Sequence, residues 1–177
     1  MMKRILLLCL TVQCGMALAE IHDPMEPRGG TFVPPPTQTP EAWKEQTTAL
    51  PAFPQEGDLV EVATAGTGEY RYLVDTRSLL VGEDRAVRYT VVTTSTRGAR
   101  SVFREALRCD TGEYKTLAYG RQDAFQEVRD PVWRTNSDAI NTSSAMGSFR
   151  KEVRAALCDD AYRPRTPAEM VKHLRYP

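Results

Sequence analysis

Along the middle of the chain, apolar and polar positions alternate with a period of two. Leu59 to Thr64 sets Leu59, Glu61 and Ala63 on one side and Val60 and Val62 on the other. Tyr70 to Val74 follows, after the turn Ala65-Gly66-Thr67-Gly68. Such alternation is that of half-buried β-strands. The best-determined unit is a hairpin: Ala86 to Ser95 runs out, Thr96-Arg97-Gly98 turns, and Ala99 to Cys109 returns. A three-residue loop ending in glycine suits a type I turn followed by a left-handed residue. It sets Val87 opposite Leu107, Tyr89 opposite Glu105 and Val91 opposite Phe103. A two-residue loop would mix apolar and basic positions on each face. Asp110-Thr111-Gly112-Glu113 reads as another turn and Tyr114 to Gly120 as a further strand.

Toward the C-terminus the period becomes helical. Met146, Phe149, Val153 and Leu157 repeat behind a Ser144 cap, and Cys158 sits at the end of that segment. Thr166-Pro167-Ala168-Glu169 then supplies a cap, a first-position proline and a capping-box acid, opening a short helix toward Leu174. Before Gly57 the pattern is broken by eight of the twelve prolines. Thr39-Pro40-Glu41 predicts a short helix carrying Trp43, and Leu50-Pro51-Ala52-Phe53-Pro54 an extended piece. Trp43, Leu50 and Phe53 are expected to dock this lead-in onto the domain. An exposed aromatic platform for sugars is the less favoured reading of Trp43. The predicted fold class is α+β: a single, mostly antiparallel β-sheet of five or six strands, a C-terminal helix packed on it, and one disulfide.

The first nineteen residues set the compartment. Lys3 and Arg4 precede the apolar run Ile5 to Val12, and Ala17-Leu18-Ala19 places small residues before a cut. This is the form of a secretory signal peptide cleaved after Ala19. The apolar run is short against the roughly 20 residues that span a bilayer, which disfavours a retained membrane anchor. The bulky Gln13 disfavours lipoprotein anchoring at Cys14. The expected location is therefore periplasmic or secreted. The expected organisation is residues 1–19 as leader, 20–40 as a proline-rich flexible lead-in, 41–158 as one folded domain, and 159–177 as a tail with a short helix. After cleavage only Cys109 and Cys158 remain, and an even pair in an exported chain reads as a disulfide. It would pin the helix ending at Cys158 to the return strand of the hairpin; two free buried thiols are the alternative.

Charge and residue type then narrow the chemistry. Lys and Arg number 23 and Asp and Glu 23, so no global field points to nucleic acid or to an anionic membrane. The two histidines, His22 and His173, lie near the ends of the mature chain. That argues against histidine-centred catalysis and against a histidine zinc site. Gly66-x-Gly68 is too little for a dinucleotide fingerprint. Glu83, Asp84, Asp110, Glu113 and Asp123 are scattered loop acids, read as solvated turn residues. Asn141-Thr142-Ser143 matches a glycosylation sequon but follows a leader of bacterial style. No catalytic, metal or cofactor residue is assigned. The second hairpin face carries Arg88, Arg100, Arg104 and Arg108. That row is a candidate site for an anion such as a phosphate or an acidic glycan, against the alternative of a solvated face neutralised by local acids. The first face is apolar except for Glu105, which needs a partner if buried. An arginine or the Tyr89 hydroxyl is the expected one.

Several pieces of the chain together resemble a known group. They are Trp43-Lys44-Glu45, Leu50-Pro51-x-Phe53-Pro54, Tyr72-Leu73-Val74-Asp75-x-x-Ser78-Leu79, Val81-Gly82-x-Asp84, Val87-Arg88-Tyr89-Thr90, Gly98-Ala99-Arg100, Glu105-x-x-Arg108-Cys109, Tyr119-Gly120, Trp133, and the segment ending in Cys158. From Trp43 onward the chain is similar to the cryptic neisserial protein one-like family of exported bacterial proteins. The resemblance implies the strand order, the exported setting and the cysteine pairing. It implies no activity and transfers no catalytic residue. The tail to Pro177 is expected to depart from the family pattern. The functional expectation is an exported, non-catalytic envelope protein that binds a protein or glycan partner, with no nucleic acid involved. A carboxylate-based hydrolase acting on cell-wall material is the alternative.

Overall fold

The structure, a computed structural model, describes residues 42–64, 68–135 and 145–177. The leader, the lead-in 20–40, the helix start at Thr39, the turn residues 65–67, Ser144 and the Asn141 sequon lie outside these residues. The strands are β1 (Leu59–Val62), β2 (Tyr70–Val81), β3 (Ala86–Ser95), β4 (Arg100–Arg108), β5 (Glu113–Arg121), β6 (Ala124–Glu127) and β7 (Arg134–Thr135). The helices are α1 (Ala145–Leu157) and α2 (Pro167–Arg175). Every pairing is antiparallel. β1 to β6 follow one another in space as in sequence, and β7 pairs with β5.

The central hairpin has the expected register, with Val87 opposite Leu107, Tyr89 opposite Glu105 and Val91 opposite Phe103. Its loop closes through Ser95 N–H to Ala99 O and Gly98 N–H to Ser95 O, both 2.9 Å. β2 runs seven residues beyond Val74, the expected end. It continues through a bulge between Asp75 and Leu80. Ser78 holds that bulge together: its hydroxyl donates to Asp75 O at 2.7 Å and accepts from Thr90 N–H at 2.8 Å. A side-chain oxygen thus replaces a missing ladder acceptor.

One sheet face is covered by the helices. Val62, Tyr72, Val74, Val87, Tyr89, Val91 and Leu107 share a buried cluster with Phe149, Val153, Leu157, Met170 and Leu174. Tyr72 stacks on Phe149, with ring centroids 4.9 Å apart. Cys109 and Cys158 form a disulfide, with Cα atoms 5.6 Å apart, between the end of β4 and the end of α1. The capping box at Thr166 and Glu169 is present. Met170 is fully buried, so α2 packs into the core instead of trailing from it. Residues 159–177 carry core side chains because α2 closes the end of the helix layer over β1 and β2.

The other face differs from its expected form. No helix carries Trp43; residues 42–54 have no regular secondary structure and form a strap bonded to this face through Trp43, Glu45 and Gln46. Its backbone bonds to the sheet instead of to itself: Gln46 N–H donates to Asp84 and Gln46 O accepts from Arg88. Consequently β3 is buried on both faces from Ala86 to Thr93.

Candidate functional site

The arginine row lies under the strap. Arg88 and Arg104 are each only 1% exposed. Arg88 pairs with Asp84 at 2.6 Å, with both side chains 1% exposed, and also donates to Gln46 O at 2.5 Å. Asp84 further accepts from Gln46 N–H at 2.8 Å, and its backbone oxygen accepts from Trp43 Nε1 at 2.7 Å. Burial pushes the Asp84 carboxyl up, but Arg88 and the amides of Gln46 and Ala86 outweigh it, and the group lies below its ordinary range. Asp84 is therefore a buried anchor and not a solvated turn acid. Arg104 donates to Ser78 O at 2.8 Å, and burial followed by the charge of Arg88 lowers its pKa to about 10.

The two outer arginines are engaged by carboxylates. Arg100 is bonded to Glu56. Arg108 is bonded to Asp110 at 3.1 Å and Glu113 at 2.9 Å, and lies 4.4 Å over the Trp43 ring. Trp43 in turn meets Trp133 edge-on at 5.7 Å, and Lys115 binds Glu45 at 2.6 Å. The four arginines thus form a row in which the inner pair is sealed beneath the strap and the outer pair is neutralised. The signal missed in the sequence is the strap itself, whose Gln46 meets Arg88 across 42 positions.

On the helix-covered face, Glu105 has both expected partners. Tyr89 Oη donates to it at 2.9 Å and Arg150 at 3.0 Å. Burial, then the Glu105 charge, raises the Tyr89 hydroxyl well above its usual pKa. For Arg150, burial is outweighed by Glu105, and its pKa is raised. Arg150 also lies 3.6 Å from the centroid of the Tyr114 ring. This buried unit forms the base of an open cleft of about 510 Å³ between α1, the β4–β5 turn and the loop after Cys158. Tyr114, Arg150, Lys151, Arg154, Asp160 and Tyr162 line it. Arg154 donates to Cys109 O at 2.8 Å and sits 5.3 Å over Tyr162. Tyr162 is 60% exposed. None of these cleft residues except Tyr114 belongs to a strand the sequence pattern resolves. The available signal was the spacing of Arg150 and Arg154, four apart on the polar side of an amphipathic helix.

The CNP1-like family matches residues 38–175 of the chain. The chain belongs to the CNP1-like family. The match reaches through α2, so the segment after Cys158 lies inside the CNP1-like pattern and does not depart from it. No curated protein and no solved structure matches this CNP1-like chain. Among the described residues, no helix of it is long and apolar enough to cross a membrane. No cluster of three or more His, Cys, Asp or Glu suited to a metal is found among the same residues.

Proposed function

We propose that this CNP1-like protein is an exported, non-catalytic binding protein of the cell envelope whose partner is a glycan held in the α1 cleft. The observation that carries this reading is the cleft itself. Its volume of about 510 Å³ falls within the range of small-ligand sites, roughly 300–1,000 Å³. Tyr114 and Tyr162 offer ring surface for the apolar faces of sugar rings. Arg150, Arg154 and Asp160 offer donors and acceptors for hydroxyls.

Binding is favoured over carboxylate hydrolysis by the state of the acids. Of the two acids that line the cleft, Asp159 is tied to Arg163 at 3.0 Å, which leaves Asp160 there without a second free carboxyl. A catalytic pair needs two carboxyls at a fixed separation, one of them free to carry a proton. The leader-like sequence pattern of residues 1–19 supports the exported setting, and the disulfide suits an oxidising compartment.

The test is a titration of the ¹⁵N-labelled mature chain with a soluble peptidoglycan digest. Amide shifts clustered at Tyr114, Arg154 and Tyr162 are expected. Shifts confined to the strap, or none at millimolar sugar, would overturn the reading.

A further inference from the structure

We infer that the α1 cleft selects acidic sugars, with Arg154 as the group that binds the ligand's carboxylate; this rests on the glycan reading above. Three cations line the cleft, Arg150, Lys151 and Arg154, against two acids, Asp159 and Asp160. Their commitments differ. Arg150 is held by Glu105 at 3.0 Å and stacked on Tyr114, and its Nε is buried with no acceptor among the described residues. Asp159 is engaged by Arg163, accepting from its backbone N–H at 2.7 Å and from Nε at 3.0 Å. Lys151 is solvated, with Glu152 only at 3.9 Å.

Arg154 stands apart from these. Its described partners are a neutral carbonyl and a tyrosine ring. Among the described residues no carboxylate lies within 4.0 Å of it. A guanidinium anchored through one nitrogen keeps further donors for an incoming group, and its fork matches a carboxylate in two parallel hydrogen bonds.

Local geometry fixes where that fork lies. Gly112 turns the chain with φ +71°, and a Cβ placed there would meet Arg154 Nη1 at 2.8 Å. The glycine lets the guanidinium cross the β4–β5 turn at the mouth of the cleft. The Cys109–Cys158 bridge ties the turn to the end of the helix that carries Arg154. Asp160 supplies an acceptor for hydroxyls in the same cleft. An acid sugar presents both a carboxylate and hydroxyls; a simple anion presents only the first.

Two disaccharides separate these possibilities by calorimetry. One is N-acetylglucosaminyl-N-acetylmuramic acid, which bears a lactyl carboxylate. The other is di-N-acetylglucosamine, which lacks it. The acidic sugar is expected to bind about tenfold tighter, as one charge-assisted pair provides. Arg154→Gln should abolish that preference, and Arg154→Lys should restore part of it. Equal affinities would overturn the inference and leave the glycan reading standing. Binding of neither sugar would overturn both. A preference that survives in a folded Arg154→Gln variant would overturn the role of Arg154. If that variant fails to fold, Lys151→Gln and a salt series on the wild type decide the matter. Affinity for the acidic sugar must then fall between 50 and 300 mM NaCl while that for the neutral sugar holds, and a salt-independent difference overturns the inference.

Discussion

Two of the buried carboxylates divide the residue-scale chemistry between the faces of the sheet. Glu105 holds Arg150 and the Tyr89 hydroxyl at the base of the cleft, and Asp84 holds Arg88 and the strap. Glu105→Ala leaves two donors unpaired in a buried setting. A loss of about 3 kcal/mol follows, read as a melting temperature several degrees lower, and Glu105→Gln should recover part of it. An unchanged melting temperature would contradict the pairing. For Asp84 the sign of the pH effect is fixed. Its folded pKa lies below the unfolded value, so the stability it contributes is complete above the usual carboxylate range. That stability is lost as pH falls through the folded pKa. Wild-type protein should therefore lose stability in acid urea titrations below about pH 4, and Asp84→Asn should lack this component. At neutral pH that variant should melt on the order of 10 °C lower, because it strands Arg88 in the interior. Glu105 was legible in the sequence as a lone acid on an apolar face. Asp84 was not, since nothing local distinguishes a buried turn acid from a solvated one.

At the scale of elements, the legible parts are those specified locally. The β3–β4 register follows from the loop length and the placement of Tyr89 and Leu107, and α2 follows from Thr166, Pro167 and Glu169. The second half of β2 was hidden because Asp75-Thr76-Arg77-Ser78 interrupts alternation, and the Ser78 hydroxyl that repairs the ladder acts only once β3 is alongside. β6, Ala124-Phe125-Gln126-Glu127, has one large apolar residue and β7 only two residues, so neither shows a period. The strap was hidden for a different reason: its anchors are hydrogen bonds to Asp84 and Arg88 far along the chain. Gly82 marks that anchor, since a Cβ there would meet Arg88 Nη1 at 2.5 Å and Gln46 Oε1 at 2.9 Å. Gly82→Ala should loosen the strap, seen as faster hydrogen exchange at the Gln46 amide with the cleft amides unaltered. The bridge between Cys109 and Cys158, 49 residues apart, constrains the unfolded chain by about 4 kcal/mol. Replacing both cysteines by serine should lower chemical stability by about that amount and weaken sugar binding, because the turn and α1 lose their tie.

Across the whole molecule, the sheet has two covered faces with separate tasks. The strap seals one, turning an apparent cationic surface into internal structure. The helices cover the other and leave an opening at the end of α1, where arginine and tyrosine side chains meet the solvent. A sequence reading that takes arginines on a strand for an anion site looks to the sealed face, because it has no means of knowing which face the lead-in covers. Among the described residues that line the cleft, Arg154 lies instead on a helix, held by the Cys109 carbonyl and the Tyr162 ring and tied to the turn by the bridge. The most direct test is a crystal structure of residues 20–177 with N-acetylglucosaminyl-N-acetylmuramic acid. Sugar density in the α1 cleft, with the lactyl carboxylate on Arg154, is the predicted result. Density against the strap face, or an empty cleft at saturating sugar, would contradict the account.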